Sequence, residues 1–134
     1  MKAKKVLKFY FSAEGLERYI GGLILKLACD FCGDGDKAAE RICSLIEEKR
    51  ALSRLWSYLD GVIEKFSERE RDTLKFYANL RRCANSLPEE IYRETKRVVT
   101  KFTRRARRLE SFNRERELVN KYYCVLGGNV IYPV

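Results

Sequence analysis

The apolar residues between positions 38 and 66 recur in alternating steps of four and three, and this heptad spacing constrains the fold more than any other feature. The positions that keep it are Ala38, Ile42, Leu45, Lys49, Leu52, Trp56, Leu59, Ile63 and Phe66. Such spacing places the side chains along one stripe of an α-helix. Ile46, Leu55 and Val62 widen the stripe, which favours a helix in a bundle core. We also expect this seam to be able to join two copies of the chain as a homodimer.

The rest of the chain also favours helices, since only two of its 134 residues are proline. Apolar residues follow helical spacing in residues 16–31, 74–84 and 91–109. The last stripe changes phase after Leu109, which predicts a kink or break at "ESFN" (110–113). A short helix closed by Gly127 and Gly128 should follow. We therefore predict an all-α fold, with residues 1–134 forming a single helical bundle of four to five helices.

The two ends of the chain are the expected exception to the helical pattern. "KVLKFYF" (5–11) is rich in aromatic and apolar residues, which is typical of a short strand ending before Ser12, the cap of the next helix. "NVIYPV" (129–134) is expected to be extended. The termini would then pair as a short two-stranded ribbon packed on the helices.

Two capping boxes mark predicted helix starts. Ser67 with Glu70, and Ser86 with Glu89, have the Ser-x-x-Glu spacing. In that arrangement the hydroxyl accepts a hydrogen bond from the N3 amide, and the Glu carboxylate accepts one from the amide of the capping residue.

The formal net charge of +9 is concentrated in one stretch, since residues 93–108 hold eight basic residues and a single Glu. The basic residues are Arg93, Lys96, Arg97, Lys101, Arg104, Arg105, Arg107 and Arg108. On a helical projection they occupy about half of the surface, opposite an apolar stripe. Their like charges repel at i, i+4 spacing, so something must offset the repulsion. Guanidinium groups match phosphate oxygens bidentately, which favours nucleic-acid binding. A solvated helix face and a docking surface for an acidic protein remain alternatives.

Two stretches resemble a known family. "FSERERDTLKFY" (66–77) resembles the opening of region 4 of sigma-70-type factors and related phage transcription regulators, and "TKRVVTKFTRRARRL" (95–109) resembles their recognition helix. The intervening residues lack the second helix and Gly-containing turn of a complete helix-turn-helix. The resemblance implies DNA binding by the basic helix, and a role in transcription regulation. The whole chain also resembles short uncharacterised bacterial proteins, which implies no function.

Patterns that could carry catalysis or bind metal are weak. Cys29 and Cys32 have C-x-x-C spacing, but they fall at a predicted helix C-terminus, where the dipole does not activate a thiol. The chain contains no His and no second C-x-x-C to complete a zinc site. Asp34 and Asp36 begin a calcium-like loop, but Leu45 stands where that loop needs Glu. We therefore expect no catalytic residues, no metal, no cofactor and no enzymatic activity.

The cysteine pattern and the hydropathy indicate the compartment. Five cysteines at scattered positions do not suggest a disulfide framework. The longest apolar run, "YIGGLILKLACDF", is interrupted by Lys26 and is too short to span a bilayer. We expect a cytoplasmic protein with no membrane partner, whose partner is nucleic acid, DNA rather than RNA.

Overall fold

Helices make up nearly all of the chain that the computed structural model describes, which is residues 3–30, 35–81 and 86–126, and no strand occurs in these ranges. The helices are α1 (Ala3–Asp30), α2 (Gly35–Ile63), α3 (Glu68–Ala78), α4 (Glu89–Arg105), α5 (Asn113–Lys121) and α6 (Tyr123–Leu126), with a 3₁₀-helix (Arg107–Ser111) between α4 and α5. The predicted all-α fold is confirmed. The described residues contain six α-helices, not four to five, because the chain after α4 is divided into short pieces.

The core forms where α1 and α2 pack against each other and the shorter helices cover them. α3 contacts both α1 and α4, whereas α5 contacts α1 and α2, and α6 contacts α1. Large, fully buried side chains come from five of the helices and include Phe9, Leu16, Leu55, Leu74, Phe102 and Leu126. α4, which carries most of the basic run, is thus part of the packed bundle.

The heptad seam of α2 lines this core along most of its length. Five of its apolar members are buried, namely Leu45, Leu52, Leu59, Ile63 and, just past the end of α2, Phe66. Lys49, its polar member, is half-buried and its ammonium lies 3.7 Å from Glu17 of α1. Trp56 is half-buried, stacks on Tyr10 and donates its indole N–H to the Tyr10 carbonyl at 3.2 Å. A homodimer through this seam stays a prediction. A second copy of the chain could contact only those seam residues that are half-buried, because the others are covered by the bundle.

The predicted strand at residues 5–11 is wrong, because these residues lie inside α1. Val6 and Phe9 begin an apolar stripe that continues to Leu16 and Ile20, and all four side chains are buried. Because the chain is helical here, the apolar stripe can be buried against α2. An isolated two-stranded ribbon would be only marginally stable. Ser12 accordingly lies within the helix. The other half of the predicted ribbon, residues 129–134, lies outside the described residues.

The chain breaks twice after α4. The predicted break at residues 110–113 occurs at Phe112, which precedes α5 with φ −95° and ψ 52°. An earlier break, which the apolar pattern did not indicate, lies at Ala106, where φ is −93° and ψ is 38°. Ala106 is buried, and Phe112 stacks on Tyr58 of α2 with ring centroids 5.0 Å apart. Leaving the α-helix at Ala106 therefore allows the chain to fold back onto α2.

One of the two predicted capping boxes is present. The Ser67 hydroxyl accepts from the Glu70 amide, and the Glu70 carboxylate accepts from the Ser67 amide, both at 3.2 Å. The second prediction is wrong, since α4 begins at Glu89 with Pro88 as its N-cap and no side chain caps it. The Glu89 carboxylate pairs instead with Arg93, one turn further along the helix.

A buried acid joins α2 to the C-terminal helices. Glu48 accepts hydrogen bonds from the Lys121 ammonium at 2.6 Å and from the Tyr122 hydroxyl at 2.7 Å. Burial alone would raise the pKa of Glu48, but these two hydrogen bonds outweigh it and hold the pKa below its usual value. Burial, together with the bond to Glu48, raises the pKa of Tyr122. Glu48 is not part of the heptad seam, and the spacing alone would leave it exposed to solvent. Its burial is therefore decided by tertiary packing.

Candidate nucleic-acid interface

The predicted basic run does not form one continuous α-helix. Six of its residues lie on α4, namely Arg93, Lys96, Arg97, Lys101, Arg104 and Arg105. The other two, Arg107 and Arg108, lie on the 3₁₀-helix beyond the break at Ala106. Seven of the eight are exposed, and Lys101 is half-buried. The run is therefore displayed from two helical segments that are separated by the break at Ala106.

Three of the four cations of α4 up to Lys101 pair with carboxylates. Its cations are Arg93, Lys96, Arg97 and Lys101, and the neighbouring carboxylates are Glu89, Glu90 and Glu94 on α4 with Glu70 on α3. Arg93 pairs with Glu89 at 2.7 Å, and Arg97 pairs with Glu94 at 2.8 Å. The hydrogen bond from Arg97 lowers the pKa of Glu94. Interspersed charge of this kind is typical of a solvated helix face.

Glu70 connects the start of α3 to the middle of α4. Its carboxylate accepts from the Lys101 ammonium at 2.9 and 3.0 Å and lies 3.5 Å from the Arg97 guanidinium. The hydrogen bond from Lys101, followed by the one from the Ser67 amide, lowers the pKa of Glu70 to about 2. The sequence indicates the capping box but not the pair with Lys101, because 31 positions separate the two residues.

We expect replacement of Glu70 with Gln to destabilise the protein by about 1.5 kcal/mol at pH 7. The amide can still accept the Ser67 hydrogen bond, but it loses the charged pair with Lys101. The folded-state pKa is about 2 and the usual value is 4.5, so this stabilisation is complete above pH 4.5 and is lost as the pH falls toward 2. Urea unfolding of both proteins at pH 7 and pH 3 measures the difference, which should be smaller at pH 3.

Glu68→Gln is the matched control for this experiment. Glu68 is exposed, also lies in the first turn of α3, and has no ion pair in the described part of the chain. Its loss should change the free energy of unfolding by no more than about 0.5 kcal/mol. Equal effects of the two substitutions at both pH values would contradict the role assigned to the pair of Glu70 with Lys101.

Beyond Lys101 the positive charge is unbalanced. Arg104, Arg105, Arg107 and Arg108, named here the C-terminal arginines, are exposed, and no carboxylate of the described residues lies within salt-bridge distance of them. The negative end of the helix dipole favours the two that lie in the last turn of α4. The two on the 3₁₀-helix lie past that end. The helix dipole therefore stabilises only two of these four arginines.

Aromatic rings position the segment that carries these arginines. The Arg105 guanidinium lies 5.1 Å from the centre of the Phe66 ring, which is a cation–π distance. The backbone amide of Arg108 donates to the Tyr58 hydroxyl at 3.1 Å, and Tyr58 stacks on Phe112. The sequence places Phe66 in the apolar seam and at the start of the stretch 66–77, but it predicts no contact of Phe66 with Arg105 and assigns no role to Tyr58. Both contacts join residues distant in sequence, so no local pattern could reveal them.

The side of α4 opposite its basic residues packs against the bundle. Thr95, Val98 and Phe102 are buried on one face of the helix, with Phe102 only 1% exposed, and Ala106 continues the buried side at the break. The predicted apolar stripe is thereby confirmed from Thr95 to Ala106, whereas its first member, Ile91, is exposed. The cations are held on a packed scaffold, so binding a partner would require little ordering of the backbone.

The geometry also explains how the like charges of the run are tolerated. Arg97 and Lys101, at i, i+4 spacing, both face the Glu70 carboxylate. Arg104 and Arg108 have the same spacing in sequence, but the chain leaves α4 between them, so they are no longer neighbours on one helix. A bound polyanion is therefore not needed to explain the first half of the run.

The other two sequence patterns, C-x-x-C and the calcium-like loop, lie only partly within the described residues. Cys29 is exposed and unpaired with another cysteine there, whereas Cys32 and Asp34 lie outside the described ranges. Within those ranges no three His, Cys, Asp or Glu side chains come together in a way that could hold a metal ion.

Comparisons with known proteins add no assignment. No protein-family model, curated protein or solved structure matches the chain. The resemblance of residues 66–77 and 95–109 to sigma-type regulators thus stays a prediction. None of the described helices combines the length and the apolar character that crossing a bilayer requires.

Proposed function

We propose that this protein is a small, non-catalytic, cytoplasmic nucleic-acid-binding protein that contacts phosphates through the basic residues of 93–108, and chiefly through the C-terminal arginines. One observation carries the proposal. Four exposed arginines lie at the end of a packed helix with no carboxylate partner in the described chain, whereas three of the four cations earlier on α4 pair with carboxylates. Unbalanced guanidinium groups on a fixed scaffold suit an extended polyanion.

The chemistry of these side chains accounts for affinity and not for sequence preference. Each guanidinium can bind two phosphate oxygens, and every phosphate contact releases condensed counterions. Contacts of this kind position a protein on nucleic acid, while base contacts specify the sequence.

We further propose that the nucleic acid is DNA and that the protein acts in transcription regulation. Both proposals are supported by the resemblance of residues 66–77 and 95–109 to sigma-type domains. In the fold the first stretch lies mostly on α3 and the second on α4 and the following 3₁₀-helix, and α3 packs directly against α4. An ion pair between Glu70 and Lys101 joins them.

The salt dependence of binding tests the proposal. We expect the protein to bind a fluorescein-labelled 20-base-pair DNA duplex at low salt. The logarithm of the binding constant should fall with the logarithm of salt concentration with a slope of about −4 from the C-terminal arginines alone, and more steeply with every further phosphate contact. Fluorescence anisotropy from 20 to 200 mM salt measures the slope. Absence of binding at 20 mM salt to this duplex and to an RNA of equal length would contradict the proposal.

A second candidate, a non-catalytic protein-interaction or self-associating module, is favoured by a different feature. A groove of about 570 Å³ lies between α1 and α2 and is lined mainly by apolar side chains, including Phe11, Leu16, Ile20, Leu52 and Trp56. Grooves of this character can receive an apolar helix of a partner. The mass of the protein in solution tests the self-associating form, which a strict monomer would exclude.

A further inference from the structure

A second group of cations lies where the start of α1 meets the end of α3. The Lys8 ammonium donates to the Asn79 side-chain oxygen at 2.8 Å, and Lys4 donates to the backbone carbonyl of Leu80. Arg81 follows directly. Burial lowers the pKa of Lys8, and the positive charges of Arg81 and Lys4 lower it further. These three cations are therefore close enough to repel one another.

Lys5 extends the group toward the C-terminal helices. Its ammonium donates to the Asn120 side-chain oxygen at 3.2 Å and lies 4.9 Å from the centre of the Tyr123 ring. On α1 it falls within about 100° of the two other lysines, so all three share one side of the helix. The oxygens that these ammonium groups contact are uncharged.

The absence of a carboxylate partner sets these lysines apart from comparable ones. In the described ranges five lysines are half-buried, namely Lys4, Lys5, Lys8, Lys49 and Lys101. Lys49 pairs with Glu17, and Lys101 pairs with Glu70. The three at the start of α1 have no carboxylate within salt-bridge distance in the described part of the chain. Partly buried charges are normally compensated, so a bound anion would complete this group.

We propose that Lys4, Lys5, Lys8 and Arg81, named here the N-terminal basic cluster, form a second phosphate-binding surface that contacts the same nucleic acid as the C-terminal arginines. This inference rests on the proposed function. It adds residues that lie outside the basic run, on a different part of the fold.

The geometry of α3 relates the two surfaces. Phe66, beneath Arg105, lies just before the start of α3, and Arg81 lies three residues after its end. The helix has 11 residues and so spans roughly 16 Å. Arg71 and Lys75 are exposed along it. Successive phosphates of one strand rise about 3.4 Å along the axis of a duplex, so the two surfaces would contact phosphates separated by about five base pairs along that axis.

Triple substitution of Lys4, Lys5 and Lys8 with Gln tests the inference on the same 20-base-pair duplex. We expect the salt slope to become shallower by about three, because three phosphate contacts are lost. Replacement of Arg18, Lys26 and Arg50 with Gln removes the same charge from exposed positions elsewhere on α1 and α2 and is the matched control. A further variant with Arg at positions 4, 5 and 8 keeps the charge and should bind within about threefold of the natural protein.

The outcomes separate the two proposals. If the Gln variant binds like its control while substitution of the C-terminal arginines abolishes binding, the N-terminal basic cluster has no role and the proposed function stands. If the unaltered protein binds neither DNA nor RNA at low salt, both proposals fail. Thermal unfolding, followed by circular dichroism, shows whether each variant is folded. Loss of binding in a folded Arg variant would overturn the inference, because that variant retains the charge.

Discussion

Replacing Arg104, Arg105, Arg107 and Arg108 with Gln is expected to weaken binding to duplex DNA on the order of 10³-fold at 0.1 M salt. Each phosphate contact contributes about 0.9 to the slope of log binding constant against log salt, so four lost contacts also make the slope shallower by nearly four. The fold should be retained, because these side chains are exposed and have no carboxylate partner in the described ranges. Anisotropy titrations across salt concentrations measure both quantities.

Two controls separate a specific surface from the effect of net charge. Gln at Arg18, Lys26, Arg41 and Arg50, which are exposed on α1 and α2, lowers the net charge by the same four units. This variant should lose far less affinity. If it loses as much as the C-terminal variant, binding depends on overall charge, and the site assigned to the end of α4 is wrong.

The second control lies within α4 itself. Gln at Arg93 and Arg97 removes two cations whose partners Glu89 and Glu94 remain close by. Those carboxylates already reduce the local potential, so each of these substitutions should weaken binding less than substitution of a C-terminal arginine. The experiment thus compares the loss of affinity for basic residues that pair with a carboxylate and for basic residues that do not.

Replacing Phe102 with Ala is expected to lower the free energy of unfolding by about 4 kcal/mol. The ring is 1% exposed and lies on the buried side of α4, next to Val98. The substitution removes its burial from water and leaves a cavity that the bundle can only partly fill. The melting temperature should fall by about 15 °C, as measured by circular dichroism.

Thr100→Ala is the control for this prediction. Thr100 is exposed on α4, two residues before Phe102, and its loss should change stability by no more than about 0.5 kcal/mol. If Phe102→Ala also stays within this range, α4 is not fastened to the core through its ring. The C-terminal arginines would then lack the fixed scaffold that the proposed function uses.

Local patterns in the sequence predict those parts of the fold that depend on neighbours in the chain. The heptad spacing of α2 predicts a helix whose buried side includes Leu45, Leu52 and Leu59. The Ser-x-x-Glu spacing at Ser67 predicts the start of α3. Such features depend on residues three or four positions apart, so the sequence shows them directly. The all-α class follows from the same signals.

The errors occur where local signals compete. The aromatic residues at 5–11 favour a strand, but Val6 and Phe9 bury themselves as part of a long helix because α2 offers an apolar partner along its length. Ser86 and Glu89 have capping spacing, yet Pro88 lies at the N-cap and Glu89 pairs with Arg93. In each case packing or a closer charge outweighs a local preference.

The sequence by itself determined the helical class, the buried stripe of α4 and the composition of the basic run, because each depends on residue type and helical period. Only the tertiary structure decided that Lys101 pairs with a carboxylate and that Arg107 and Arg108 lie beyond α4. Glu70 reaches Lys101 across 31 positions, and the chain turns at Ala106 to meet α2, which separates Arg107 and Arg108 from α4. Electrostatic balance depends on distances of a few ångströms between helices, and those distances are set by packing, not by spacing along the chain.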